Sequence, residues 1–321
     1  MNIVEFARFG GPEELQLIEV PTPQPGAGQI LIEVKASGIN FADVMARSGV
    51  YPNVRSAPFR PGFEAAGVVT VVGEGVENFA VGDRAMALLR SAGYATHAIL
   101  EASQAVKLPD TLDFAPATAL LVQGLTAYFL LEEGNVGTGK SVLIPSAAGG
   151  VGSLAVQIAK LRGAGPIIGL ASPRKHEAVK QLGADAVFDY TQPGWSKQVK
   201  EATGGRGIDI FLDSQGDVTG EGVDTLADKA MWMVYGGQAQ GGGVLDAERL
   251  WDLVFRNITL RGYTVFSNAP DFGRALEEMF GWVASGQLII EAGHRFPLAK
   301  AAEAHEAIEN RQTTGKVVLE P

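Results

Sequence analysis

One stretch limits the fold more than any other: "KSVLIPSAAGGVGSLAVQIAKLRG", residues 140–163, an apolar strand that breaks at a glycine-rich turn and re-forms as a helix. Read as A-x-G-x-x-G, it places Ala147, Gly149 and Gly152 at the positions of a dinucleotide-binding turn. Small residues allow the tight bend, and the backbone N–H groups of Gly149, Gly150, Val151 and Gly152 at the helix start would face a pyrophosphate. A lone match of this kind is also met in strand–helix turns that bind nothing, so the surrounding order decides. That order continues: strands "PIIGLA", "AVFDY", "IDIFLDS", "MWMVYGG" and "ITLRGY" follow, with helical spacing such as "RKHEAVKQLG" between most of them. Alternation of strand and helix requires a parallel, doubly wound sheet.

The first 120 residues have a different texture. "QILIEVKASGI" and "EAAGVVTVVGEG" are β-rich runs bounded by Pro and Gly, and "VGDRAMAL" reads as a turn entering a strand. This part is expected to be a β-barrel-like unit over residues 1–122, followed by a dinucleotide-binding domain over 123–263. Residues 264–321, with helices "DFGRALEEMFGWVASG" and "AKAAEAHEAIEN" and strands "LIIEAG" and "GKVVLEP", are expected to complete the first domain.

The end of the second strand predicts which dinucleotide. An NAD site usually carries Asp or Glu there for the ribose 2′-hydroxyl, yet no acidic residue lies between Ser153 and His176. The chain reads Ser172-Pro173-Arg174-Lys175, a hydroxyl and two cations. Cations at a helix start oppose the helix dipole and call for a counter-anion. A 2′-phosphate supplies one, so NADPH is expected over NADH.

"GNVGTGKS", residues 134–141, formally matches a nucleotide-triphosphate phosphate loop. That loop must leave a strand and enter a helix. Here it follows helical "LTAYFLLEE" and precedes the strand "VLIPS", so it is read as a connector.

Composition removes further classes. The chain of 321 residues has no cysteine and a formal charge of −10. Thiolate nucleophiles, disulfides and cysteine-bound zinc are excluded, and a reducing cytoplasm is the expected location. The acidic balance argues against nucleic-acid binding. The N-terminal residues show no basic segment before an apolar core, and no membrane span is expected.

The stretches "GINFADVMARSGVYP", "PGFEAAGVVTVVGEGVENFAVGDR", "LLVQGLTAY", "AAGGVG" and "TTGKVVL" resemble the zinc-independent quinone oxidoreductase group of the medium-chain dehydrogenase/reductase superfamily, near the branch of the synaptic-vesicle membrane protein homologues. The resemblance spans nearly the whole chain. It implies an α/β chain with a GroES-like β-barrel domain plus a doubly wound Rossmann domain, and a homodimer formed through Rossmann edge strands. Zinc dehydrogenases of the superfamily carry Cys, His and Cys at positions where this chain has Asn40, Phe63 and Gln123. Phe63 cannot bind metal and neutral amides bind zinc poorly, so no metal is expected. The four histidines, His97, His176, His294 and His305, lack ligand spacing.

Without a Lewis acid, reduction of a quinone or an activated C=C is the expected chemistry, with NADPH as cofactor. Enoyl-thioester reduction is a second enzymatic reading, and an NADPH-binding partner protein with little catalysis is a third. Asn40 is expected either to bond the substrate carbonyl or orient the nicotinamide, with turn capping as its alternative. Asp43 fits a helix cap. The resemblance places Tyr51 near cofactor and substrate, whereas Met45 stands where many quinone reductases carry a second tyrosine. It also implies Gln123 and Thr126 near the nicotinamide, Tyr190 by the adenosine, and Ser214, Gly216, Tyr235, Gly236 and Gly237 at later strand ends.

Overall fold

In the computed structural model, residues 1–216, 220–237, 245 and 247–321 are described. They divide into two compact units: Met1–Gln123 with Leu276–Ala284 and Ile290–Pro321, and Gly124–Ala275 with Ser285–Ile289.

The first unit opens with the antiparallel pair β1 (Asn2–Glu5) and β2 (Gln16–Glu19). The long β3 (Gln29–Ile39) follows. It pairs antiparallel with both β4 (Glu64–Val72) and β6 (His97–Glu101), and β4 continues into β5 (Arg84–Leu88) and β7 (Val106–Lys107). β3 buries Ile32, Val34 and Ala36 on one face and turns Glu33 and Lys35 outward between them, while Leu31 and Ile39 nearer its ends are buried as well. Helix α1 (Phe41–Ser48) starts directly after β3 and ends at Gly49, whose φ of 80° gives the left-handed stop that glycine adopts without strain.

Helix α2 (Phe114–Ala119), a π-helical turn at Leu120–Gly124 and α3 (Leu125–Glu133) form one continuous run. Contrary to the expectation that no run approaches membrane length, Phe114–Glu133 is long and apolar enough to cross a bilayer. It is mostly buried within the fold, as a core helix is. Pro116, Gln123 and Gly124 interrupt the apolar residues and hide the run in the sequence.

The second unit is the parallel sheet that the alternation predicts. Its elements are β8 (Val142–Ile144), α4 (Gly150–Leu161), β9 (Ile167–Leu170), α5 (His176–Gln181), β10 (Ala186–Phe188), α6 (Trp195–Ala202), β11 (Ile208–Asp213), α7 (Glu221–Asp224), β12 (Leu226–Val234), α8 (Ala247–Phe255) and β13 (Thr259–Gly262). The strand order is β10-β9-β8-β11-β12-β13, every pair parallel. The order reverses between β8 and β11, which is where doubly wound sheets bind ligands. Residues 134–141 join α3 to β8, so the phosphate-loop match is a helix–strand connector.

Residues 264–275 count with this unit. Arg274 explains it, bonding the Glu132 carboxylate at 2.9 Å and the Tyr128 hydroxyl at 2.8 Å, while Asn268 bonds Glu133 at 3.0 Å.

After α9 (Phe272–Ala284) the chain passes through "LIIEAG" to β14 (His294–Pro297), α10 (Ala301–Glu309) and β15 (Val317–Glu320). The expected strand at "LIIEAG" is not formed. Its backbone bonds go instead to the Gln157 side chain, at Ile289, and to the Lys316 amide, at Glu291. A run whose polar groups are taken by an amide side chain has no need of a ladder. β14 pairs parallel with β15, and β15 pairs antiparallel with β3, closing the first unit's seven-stranded sheet.

Candidate active site

In the first unit, Ile39 ends β3 and Asn40 begins the turn into α1. Asn40 is the N-cap of that helix and forms a capping box with Asp43 at N3, whose carboxylate accepts the Asn40 N–H at 2.8 Å and the Gly62 N–H at 3.0 Å. The Asn40 Oδ1 also accepts from the Lys316 ammonium at 3.0 Å. Lys316 is fully buried, forms a close ion pair with the equally buried Glu64, and donates to the Ile39 carbonyl at 3.3 Å. The other Glu64 oxygen accepts the Val122 N–H at 2.9 Å, inside the π-helical turn. Gln123 of that turn donates from Nε2 to the same Ile39 carbonyl at 3.3 Å. Two of the three former metal positions, Asn40 and Gln123, are thus tied around one carbonyl oxygen. The third, Phe63, packs its ring against Tyr51 at 5.6 Å.

The electrostatics follow from burial. Burial, reinforced by the Glu64 charge, pushes the Asp43 carboxyl up to about 7 against its two N–H bonds. Burial pulls the Lys316 ammonium below its ordinary value, and the Glu64 carboxylate opposes that pull. Burial also raises the Tyr51 hydroxyl above its ordinary range, so at neutral pH it is a protonated O–H donor. Within this cluster, Asn40 Nδ2 and Gln123 Oε1 are buried without a hydrogen-bond partner among the described residues. Unpaired buried donors and acceptors are rare and each needs a reason; a ligand with a carbonyl or amide group is one.

Sequence reasoning missed Lys316 and Glu64. Gly38 was a signal, since a glycine inside a strand, here the penultimate residue of β3, marks close approach. A Cβ there would collide with the Glu64 carboxylate and the Lys316 side chain.

The donor set does not fit zinc. It offers no thiolate or imidazole, and a buried ammonium already lies on the Asn40 oxygen. The histidines are separate: His97 contacts Thr96, His176 the Ala171 carbonyl, His294 the Thr314 amide, and buried His305 the Tyr94 hydroxyl. Burial brings His305 down to about 3, so it stays neutral.

In the second unit, the expected cofactor residues other than Thr126 follow the carboxyl ends of parallel strands, whereas Gln123 belongs to the first unit. Ser146 takes the turn's left-handed conformation, with φ of 50°, so Ala147 is not asked to. Gly149 caps α4 with extended backbone, leaving the first N–H groups of Gly150, Val151 and Gly152 without helical acceptors. A Cβ on Gly152 would lie 2.8 Å from the Ala147 Cα, so glycine there sets how closely the helix meets the turn. Ser172, half-buried, and Arg174, exposed, follow β9, with Lys175 in the same short 3-10 turn. Tyr190 follows β10. Ser214 and Gly216 leave β11, where Asp213 accepts the Trp232 indole N–H and the amides of Gln215 and Gly216. Tyr235, Gly236 and Gly237 leave β12, and a Cβ on Gly236 would strike the Ser214 carbonyl. Thr126 is buried in α3. A helix N-terminus, glycines pressed to the backbone and a cationic strand end together suit a phosphorylated dinucleotide.

The comparisons agree with this geometry. Residues 26–110 match the family model for the alcohol dehydrogenase GroES-like domain, and residues 182–319 match that for zinc-binding dehydrogenase. Quinone oxidoreductase of Salmonella typhimurium is 36% identical, with 99% of each chain covered. The 2-haloacrylate reductase of a Burkholderia species is 34% identical, covering 97% of this chain and 96% of its own. The solved structure of Escherichia coli quinone oxidoreductase complexed with NADPH superposes with a TM-score of 0.93 at 32% identity, covering all of both chains. With Asn40, Phe63 and Gln123 in place of a metal triad, the chain belongs to the zinc-independent quinone oxidoreductase group of the medium-chain dehydrogenase/reductase superfamily.

Proposed function

We propose that this chain is an NADPH-dependent, zinc-independent reductase acting on quinones and α,β-unsaturated carbonyls. The observation that carries the reading is a polar cluster around Asn40 that offers no thiolate or imidazole in the first unit, in a chain whose second unit carries a cationic Arg174–Lys175 turn at the β9 end. The relatives support it: one is a quinone oxidoreductase solved with NADPH, another a reductase of a 2-haloacrylate, whose C=C is activated by a carboxyl group.

Bound NADPH supplies two electrons and one hydrogen to the electron-poor carbon of the acceptor. The amides at the α4 start hold the pyrophosphate, and Ser172, Arg174 and Lys175 hold the 2′-phosphate. Gln123 and Thr126 serve the nicotinamide end. Tyr190, Ser214, Gly216 and Tyr235 to Gly237 line the remaining strand ends. Asn40 donates to the acceptor's carbonyl oxygen as negative charge develops there. Tyr51, neutral at pH 7, donates a proton or a hydrogen bond to the acceptor. The test is NADPH oxidation with 1,4-benzoquinone, 2-chloroacrylate, enones and enoyl thioesters in the presence of a chelator. Turnover unaffected by the chelator is expected. Tight NADPH binding without turnover on any acceptor would favour a partner-binding protein.

The protein is further proposed to be a cytoplasmic homodimer. Among the described residues, β13 has no partner on its outer edge, and Leu260 on it is exposed. Nearby α8 exposes Leu250, Val254 and the stacked Trp251–Phe255 pair, with Phe255 77% exposed. An open edge beside exposed aromatics is a liability unless covered, and a second copy adding its own β13 would cover it. Sedimentation is expected to give twice the chain mass, and Trp251→Glu with Phe255→Glu to give monomers. A monomeric wild type would refute the dimer.

A further inference from the structure

An ammonium can only donate hydrogen bonds, so the group that Lys316 meets on Asn40 must be the amide oxygen. That settles the orientation of the side chain. Oδ1 faces Lys316 at 3.0 Å, and Nδ2 faces the other way, buried and without a partner among the described residues. The three Lys316 contacts are Glu64, Asn40 and the Ile39 carbonyl, which match the three hydrogens of the ammonium. Asn40 cannot turn over without leaving one of those hydrogens unmatched in a dry interior. Its place as N-cap in the capping box with Asp43 asks only for an acceptor, so capping does not engage Nδ2.

From this arrangement we infer that Lys316, clamped by Glu64, is a positioning residue that fixes the Asn40 amide with Nδ2 as the donor to the acceptor's carbonyl oxygen. The inference rests on the reductase reading above. It deepens that reading by assigning the buried pair a part in the reaction. A hydride passing from bound NADPH would form the acceptor's new C–H bond, the electron pair of the conjugated system would move onto the carbonyl oxygen, and that oxygen would take its proton from the Tyr51 hydroxyl or from water. A donor already aimed at that oxygen needs no reorganisation at that moment, and the ammonium behind it polarises the amide in the favourable sense.

The test is a mutant cycle on the full chain, with NADPH and 1,4-benzoquinone, reading kcat, KM and the Kd for NADPH. Asn40→Ala is expected to lower kcat about 100-fold with the Kd for NADPH unchanged. Glu64→Gln with Lys316→Met removes both charges and keeps an acceptor for the Val122 amide. It is expected to lower kcat at least about tenfold, and in that background Asn40→Ala should cost less than about threefold more. A purely structural pair would leave the Asn40→Ala loss at full size in both backgrounds, which overturns the inference. Asn40→Asp gives an independent arm that keeps the Lys316 contact and deletes the Nδ2 donor. A loss like that of Asn40→Ala is expected, and wild-type kcat in Asn40→Asp overturns the inference. If the wild type reduces none of the acceptors, the reductase reading fails first and the inference with it. Turnover with additive losses refutes the inference alone.

Discussion

Arg174→Ala combined with Lys175→Ala raises the KM for NADPH about a hundredfold and leaves that for NADH within about threefold. The two cofactors differ only at the ribose 2′ position, so a contact used by one and not the other changes their ratio without altering the chemistry. A hydrogen bond to a charged group contributes about 1.5–3 kcal/mol. Arg174 is exposed, and water screens exposed charge. The lower end therefore applies, and two such contacts at about 1.4 kcal/mol each give the hundredfold. Steady-state kinetics with both cofactors at fixed quinone checks it. Equal losses for NADPH and NADH would mean that the two cations meet the shared pyrophosphate or the fold, and not a 2′-phosphate.

The second large effect is on stability. Lys316→Met alone is expected to destabilise the protein by about 3–5 kcal/mol, because it strands Glu64, a carboxylate with no solvent exposure, opposite an apolar side chain. Glu64→Gln added to it should restore most of the loss, since a neutral amide keeps the bond to Val122 and no longer needs a counter-charge. Chemical denaturation of the wild type, the single variant and the pair measures this. A single variant as stable as the wild type would show that Glu64 takes up a proton or reaches water at small cost.

These two sites lie at opposite extremes of legibility. The cationic end of β9 could be read because both of its determinants are local: the strand's position after the glycine turn, and the absence of any acid from Ser153 to His176. The same holds for the turn itself, for the alternation that makes the sheet parallel, and for the connector at residues 134–141. Each is a matter of spacing and residue type within about one element's length. Tyr51 and Asn40 were selected through the resemblance, and the capping alternative for Asn40 is met as well, because Asn40 is the N-cap of α1 in a capping box with Asp43. "LIIEAG" was misread as a strand because β-rich composition cannot reveal that a glutamine 132 residues away satisfies its backbone. Leu250, Trp251, Val254 and Phe255 look like an ordinary amphipathic face in the sequence, and their exposure emerges only when α8 is placed.

By itself the sequence determined the doubly wound sheet, the glycine turn that opens α4, the cofactor preference and the impossibility of a thiolate-bound metal. Periodicity, glycine placement and the absence of cysteine act without reference to distant residues. Only the tertiary structure decided what stands in the metal's place. A lysine in "GKVVL" reads as a solvated turn residue. It becomes a buried cation because β15 pairs with β3, bringing it to an asparagine 276 residues earlier and to Glu64 at the start of β4. Desolvation and the single direction in which an ammonium can bond then fix which end of the Asn40 amide is left unpaired.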